Sequence, residues 1–249
     1  MAELIKKDRL LFGMPIDLKE FGIIHQPKLC DFLDFDYGQF KTVFSIRKET
    51  LLFLDEQQEG YDLLKDFDFI MMLNLSETFC KALKLLYKTN DIKLDYKYGD
   101  IESTKIIINA NDNTYYIDRN NYTKFADLIL ITLHEGNNIA DEELKEELDE
   151  VELEIAKRRR AFERKKAKRE AELRKQSGEE PTTIFDMANY IIHCDSKFDY
   201  ESVLNLTVYQ LINSFNLYHL KENYKHMMDC KTSGNFKIEE NIAHWFFGK

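Results

Sequence analysis

Two histidine–cysteine pairs are the residues best suited to chemistry in this sequence. His193 and Cys194 are adjacent, and His226 and Cys230 lie four positions apart, which would place the second pair on one face of a helix. The four side chains would suit zinc if the two segments met. Their spacing matches no zinc finger, and isolated His and Cys residues on helices usually pack as ordinary side chains. We therefore predict no metal site and no cofactor, and the zinc interpretation requires the two segments to meet.

The sequence lacks the motifs of the common catalytic sites. It contains no GxSxG, P-loop, GxGxxG or HExxH pattern. Its 45 acidic residues make chance carboxylate pairs unavoidable, so such pairs carry no information on catalysis. Its four cysteines are widely spaced and form no CxxC pair, which favours a reducing cytosol over a disulfide framework. We predict that the chain is not an enzyme and has no catalytic residues.

A further candidate for binding chemistry is a stretch in which the charges are segregated. Residues 141–154 hold nine acids and one lysine, and residues 157–175 hold eleven bases and three acids. The whole chain has a formal net charge of −10, which opposes general binding of polyanions but can conceal a local basic patch. The residues that would contact a phosphate backbone are Arg158, Arg159, Arg160, Arg164, Lys165, Lys166, Lys168 and Arg169.

The same stretch also has a structural explanation that needs no nucleic acid. Residues 139–176 lack Gly and Pro and are rich in strong helix formers, so they predict one long charged helix. Acids at the start and bases at the end of a helix complement its macrodipole. Apolar residues step by four, three, four and seven, which predicts a coiled-coil seam of Leu144, Leu148, Val151, Ile155 and Phe162. Two such helices lying antiparallel would pair acid with base, so we expect homo-oligomers through this helix.

Three interpretations of the basic half therefore stand side by side. A solvated or pairing helix is favoured, because the charges of the two halves cancel. Nucleic-acid binding is the second, although Phe162 is the one aromatic residue of the run and a base-stacking platform is therefore missing. An anionic partner protein is the third.

The rest of the sequence predicts a mostly helical α+β fold. Apolar residues recur at helical spacing from residue 40 to 88 and from 182 to 249. Between residues 93 and 118 the pattern alternates, and Asn111–Asn113 supply a turn, which predicts a small antiparallel β-meander. No run of about 18 apolar residues occurs, so no membrane span is expected. We predict a helical N-terminal domain containing the meander (1–137), a charged helical connector (138–180) and a small helical C-terminal domain (181–249).

Two local predictions can be made from turn and capping residues. The sequence "FGIIHQP" predicts a strand that ends at Pro27, and Pro27 would then lie in the first turn of a helix, "PKLCDFLDF". Asn121 or Thr123 would cap a buried helix that Gly136 ends.

Both ends of the sequence carry patterns that resemble one group of phage proteins. These patterns are "LLFGMPIDLKEFGIIHQPKLCDFLDF" at the start, and "LNLTVYQLINSFNLYHLKENYKHMMDCK" followed by "IEENIAHWFFGK" at the close. They resemble the tail assembly chaperones and accessory proteins encoded among tail-morphogenesis genes of bacteriophages of Gram-positive bacteria. The resemblance covers about the first 45 and the last 50 residues and excludes the charged helix.

The resemblance implies a function in protein–protein interaction without catalysis. Such a protein would cover apolar stretches of the tape-measure protein in the host cytoplasm and then give way to tail-tube subunits. The alternatives are a virion structural or scaffolding subunit and a nucleic-acid-binding accessory protein acting through residues 157–175. Trp245 either anchors the last helix to its own domain or forms an exposed anchor for a partner. Trp245 and the residues of the Leu144 to Phe162 seam are therefore the candidate protein-binding residues.

Overall fold

The computed structural model describes residues 5–48, 63–97, 100–134 and 182–233. These ranges combine α-helices with two small antiparallel sheets, which confirms the predicted α+β class. The helices are α1 (Lys7–Leu11), α2 (Tyr37–Ser45), α3 (Asp66–Met72), α4 (Ser76–Tyr87), α5 (Tyr122–Thr132), α6 (Ile184–Cys194), α7 (Tyr200–Leu204) and α8 (Val208–Thr232). The strands are β1 (Ile16–Asp17), β2 (Ile23–Ile24), β3 (Ile92–Lys97), β4 (Asp100–Ala110) and β5 (Asn113–Asp118). Within these ranges, no helix combines the length and apolarity that a membrane crossing requires.

The predicted β-meander is present as a sheet of three strands in the order β3-β4-β5. Asn111 and Asp112 turn the chain between β4 and β5 with φ of 51° and 60°, a left-handed conformation that Asn and Asp tolerate. Alternate side chains of the sheet, including Ile106, Ile108 and Ile117, are fully buried. The period of two in the sequence therefore reflects one face of the sheet packing on the core.

Aromatic side chains from several helices form the centre of this core. The rings of Phe44 and Phe79 meet edge to face with centroids 5.6 Å apart, and Phe79 meets Tyr122 in the same way at 5.6 Å. The Tyr122 hydroxyl donates a hydrogen bond of 2.5 Å to the carbonyl of Val43. These contacts join α2, α4 and α5.

Two buried aspartates at the start of α3 are both paired. The Asp68 carboxylate accepts hydrogen bonds of 2.7 and 2.8 Å from the guanidinium of Arg119. Asp66 accepts from the backbone N–H of Lys48 at 2.8 Å and from the Thr123 hydroxyl at 2.9 Å. Because a buried carboxylate is costly without such partners, these bonds fix α3 against the body.

The local predictions near the start of the chain need correction. The strand predicted over residues 21–27 is reduced to β2, and the helix predicted to begin at Pro27 is a 3₁₀ turn, Leu29–Phe32. The cause is a contact distant in sequence. The carbonyl of Pro27 accepts from Val208 N–H, and Leu29 N–H donates to the carbonyl of Leu206, both at 2.9 Å. The backbone at residues 27–29 therefore pairs with the entrance to α8 instead of entering a helix.

The start of α5 lies where it was predicted, but its cap differs. Asn121 precedes the helix, and its side-chain oxygen accepts from the Asp118 backbone N–H at 2.9 Å instead of from the helix. Gly136, the predicted end, lies outside the described residues, and so does the connector predicted at 138–180. The three-part domain division stays a prediction.

Candidate protein-interaction surface

The first turns of α8 are bonded to the N-terminal part of the chain. Thr207 and Gln210 form a capping box: the Thr207 hydroxyl accepts from Gln210 N–H at 3.2 Å, and the Gln210 side-chain oxygen accepts from Thr207 N–H at 2.9 Å. The Gln210 side-chain amide donates to the carbonyl of Leu11 at 2.8 Å. Val208 and Leu211 are fully buried. We call residues 207–212 the base of α8, and residues 216–232 its distal half.

Helix α6 packs along one face of α8. The ring of Tyr190 stacks on His219 with centroids 4.8 Å apart and an interplanar angle of 4°. Phe215 meets the same Tyr190 ring edge to face at 5.2 Å. The Tyr190 hydroxyl donates to the carboxylate of Glu222, so the contact between the helices extends into the distal half.

The opposite face of the distal half presents apolar side chains to solvent. Leu217, Leu220 and Met227 are 42%, 43% and 42% exposed, and Tyr224 between them is half-buried. At about 100° per residue, these four lie about 150° around the helix from the residues that contact α6. Their steps of three, four and three match the apolar stripe by which one helix packs on another. We call them the α8 seam.

The seam continues the face by which α8 docks at its base. Tyr209 and Gln210 lie on the same side of the helix as the seam. The Tyr209 ring lies 4.9 Å from the ring of His134, and Gln210 bonds to Leu11. The same face of α8 is therefore in contact with the N-terminal part at its base and carries exposed apolar residues in its distal half. An exposed apolar patch of this kind is typical of an interaction surface.

Charges in the distal half are divided between its two sides. Lys221 and Lys231 lie on the side of the seam, whereas Glu222 and Asp229 lie toward α6. A partner that covers the seam would meet apolar residues bordered by positive charge.

A second link between α6 and α8 joins Asp195 to Tyr218. The Tyr218 hydroxyl donates a hydrogen bond of 2.5 Å to the Asp195 carboxylate. This bond holds the pKa of Asp195 below its ordinary value, and the Lys197 N–H adds a smaller effect in the same direction. Burial and the same hydrogen bond raise the pKa of Tyr218 to about 12. The link is therefore formed across the neutral range.

The binding residues predicted from the sequence lie outside the described part of the chain. This applies to the Leu144, Leu148, Val151, Ile155 and Phe162 seam, to the basic residues from Arg158 to Arg169, and to Trp245. Their roles stay predictions. The α8 seam was missed as a site because its residues were read only as part of an amphipathic helix. The signal was the spacing of Leu217, Leu220, Tyr224 and Met227, which is that of a heptad.

The two histidine–cysteine pairs do not converge into a metal site. The Cys194 thiol lies 3.9 Å from a carboxylate oxygen of Glu222, and the Cys230 sulfur lies 3.7 Å from Nε2 of His226. Across the ranges given above, no group of three or more His, Cys, Asp or Glu side chains is arranged to hold a metal ion. The zinc interpretation therefore has no geometric support in this part of the molecule.

A shallow depression of about 450 Å³ lies beside the turn between β4 and β5. Its wall includes Thr89 and residues 109–114. The Thr114 hydroxyl donates to the Asn109 side chain at 2.8 Å, and the Asn109 amide donates to Asp91 at 2.9 Å. These polar groups bond to one another instead of converging on the depression, so the α8 seam remains the stronger candidate for a site.

Comparison with known proteins gives a family match in this C-terminal part. Residues 175–247 match the family model of the YomV second domain. The match spans α6, α7 and α8 and extends beyond the end of α8. It relates the C-terminal part to YomV-like phage proteins. No curated protein and no solved structure matches the chain.

Proposed function

We propose that this protein is a non-enzymatic tail assembly chaperone that binds tape-measure and tail-tube proteins during phage tail morphogenesis in the host cytoplasm. The observation that carries the proposal is the α8 seam. Three of its residues, Leu217, Leu220 and Met227, are exposed on a helix whose base is fixed in the core.

The fixed base gives the seam a defined orientation. The capping box and the bond from Gln210 to Leu11 hold the first turns of α8, and α6 supports its other face. A supported helix that presents apolar residues at heptad spacing suits the binding of a second amphipathic helix. A chaperone that covers the apolar stretches of a client until assembly needs a surface of this kind, because those stretches stay exposed until the client is assembled.

Two further observations support a phage context. The YomV second-domain match includes the whole of α8. The sequence patterns that resemble tail-morphogenesis proteins include the same helix, "LNLTVYQLINSFNLYHLKENYKHMMDCK". Both observations concern the part of the chain that carries the seam.

Co-expression with a tape-measure protein tests the proposal. We expect the soluble fraction of the tape-measure protein to rise with the wild-type chain, and to fall back when Leu220 and Met227 are both replaced by Ser. The matched control is Leu73→Ser, because Leu73 has a similar exposure of 41% but follows α3, outside the α6–α8 unit. An unchanged soluble fraction with the wild-type chain would contradict the proposal.

Mass analysis of purified virions separates this function from the structural alternative. A chaperone leaves before the tail is complete, so we expect the chain to be missing from finished particles. Its presence at a fixed ratio to tail subunits would favour a virion structural subunit instead.

A further inference from the structure

We propose that strand β3 pairs along its outer edge with β3 of a second copy of this chain, antiparallel and with the two-fold axis at Leu94, so that the two sheets become one. Its first support is the position of β3, which forms one edge of the sheet in the order β3-β4-β5. An edge strand presents backbone N–H and C=O groups that can bond to a further strand. The pairing does not depend on the proposed function in tail assembly.

The hydrogen bonds between β3 and β4 indicate which backbone groups face the edge. Asn109 N–H donates to the carbonyl of Asp91 at 3.0 Å, so the Asp91 carbonyl faces β4. Because the bonding direction alternates along an antiparallel strand, the backbone groups of Lys93 and Asp95 also face β4. Those of Leu94 point away from β4, toward the edge. Leu94 and its copy in a second chain can therefore exchange a pair of backbone hydrogen bonds.

The side chains of β3 are complementary to themselves when Leu94 lies opposite Leu94 of the second copy. Lys93 then lies opposite Asp95 of the second copy, and the symmetry repeats this pair. Ile92 likewise lies opposite Tyr96. Opposite charges and apolar side chains directly across two strands each stabilise the pairing. One alignment therefore matches charge with charge and apolar with apolar.

The neighbouring alignments are unfavourable. An axis at Lys93 would place two lysines directly opposite each other, and an axis at Asp95 would place two aspartates opposite each other, which destabilises a strand pair. An axis between two residues would set backbone groups that face the edge against groups already bonded to β4. Charge and backbone direction therefore both select the axis at Leu94.

A row of alternating charges in the sheet leads to the same edge. Asp118 of β5 lies opposite Lys105 of β4, and Lys105 lies opposite Asp95 of β3. The next position in this row, across the edge, is that of Lys93 of the second copy. The proposed pairing therefore continues the alternation of negative and positive charge from one sheet into the other.

The side chains at this edge are accessible to a partner. The Lys93 side chain is 72% exposed, and Leu94 and Tyr96 are 36% and 46% exposed. Lys93 Nζ lies 3.3 Å from the carboxylate of Asp91 on the same strand. Because such an exposed ion pair contributes little, it does not prevent Lys93 from meeting Asp95 of a second copy.

Sedimentation of the full-length chain tests the pairing. A single pair of strands buries little area, so we expect a weak dimer and would measure up to about 300 µM protein. Lys93→Asp and Asp95→Lys should each weaken association about tenfold, because each places like charges opposite one another. An equal mixture of the two variants should associate again, since every reversed charge then meets an opposite charge. The matched control is Lys81→Asp, at an exposed lysine that also has a local ion pair, with Glu77.

Hydrogen exchange of the wild-type chain, followed by NMR, gives a reading that needs no substitution. The Leu94 amide should exchange more slowly as the protein concentration rises, because its N–H is bonded only in the dimer. The Lys93 amide, which faces β4, should be slow at every concentration and serves as the internal reference.

Four results would overturn the proposal. The wild-type chain could be monomeric at the highest concentration, or the Leu94 amide could exchange equally fast at all concentrations. Either charge reversal could associate as the wild type does while circular dichroism shows the fold intact, which would place the contact elsewhere, such as at residues 139–176. The mixture could also associate no better than each variant alone. Co-expression with a client does not enter these measurements, so the two proposals fail separately.

Discussion

The base and the distal half of α8 belong to one continuous helix but meet different surroundings. In the base, Leu211 is fully buried and the Gln210 side chain bonds to both Thr207 and Leu11. In the distal half, Leu220 is 43% exposed. The base therefore stabilises the fold, and the distal half offers a surface. The difference shows that one continuous helix can stabilise the fold with one part of its length and offer a binding surface with another.

The same substitution at the two positions gives the largest expected contrast. Leu211→Ala should lower the free energy of unfolding by about 2–5 kcal/mol, because it leaves a cavity in the core. Leu220→Ala should lower it by about 1 kcal/mol at most, because Leu220 is already 43% exposed and lies outside the buried core. Urea unfolding of both variants measures the difference. Equal losses would mean that the distal half is as much a part of the core as the base.

Removing the hydrogen bonds of the base should have an intermediate effect. Gln210→Ala leaves the Leu11 carbonyl and the Thr207 N–H without their partner. The expected loss is about 1–3 kcal/mol, which is the usual range for unsatisfied buried groups. Asn216→Ala, at an exposed position of the same helix, is the control and should be near neutral. A neutral Gln210→Ala would show that the anchoring of α8 is purely apolar.

The smallest expected effect concerns pH and the link from Tyr218 to Asp195. Because the pKa of Asp195 is lowered in the folded protein, its bond stabilises the fold above the ordinary aspartate pKa and is lost as pH falls through the lowered value. The Tyr218 pKa is raised to about 12, so on the alkaline side the stabilisation is lost as pH rises from about 10 to about 12.

Urea unfolding across pH tests this link. Tyr218→Phe should lose less stability than the wild type when the pH falls from neutral into the acid range, and Tyr200→Phe should behave like the wild type. Tyr200 is 64% exposed and serves as the matched tyrosine. If the free energy of unfolding of Tyr218→Phe depended on acid pH as it does in the wild type, the bond from Tyr218 to Asp195 would not contribute to that dependence.

Local sequence signals predicted the parts of the fold that depend on near neighbours. The β-meander followed from alternation and from Asn111 and Asp112, because a turn that needs positive φ has few suitable residues. Pro27 misled the prediction for the opposite reason. The position of Pro27 depends on Val208, because the Val208 N–H donates to the Pro27 carbonyl. A local sequence pattern cannot predict a contact between residues so far apart in the chain.

The candidate site also could not be predicted from local sequence patterns alone. Heptad spacing of Leu217, Leu220, Tyr224 and Met227 is visible in the sequence, but a buried stripe and an exposed one have the same spacing. The structure separates them, because α6 occupies the other side of the helix through Tyr190. Burial, which only the folded chain reveals, decides which stripe is a surface.

The bond between Gln210 and Leu11 joins residues that are 199 positions apart. During synthesis, the Leu11 carbonyl and the Leu29 N–H therefore cannot form these hydrogen bonds until Leu206 and Gln210 have left the ribosome. Such distant pairing is slow to form and leaves apolar surface open in the nascent chain. The first turns of α8 are thus expected to pack against the N-terminal part late in folding, once residues 207–212 have been synthesised.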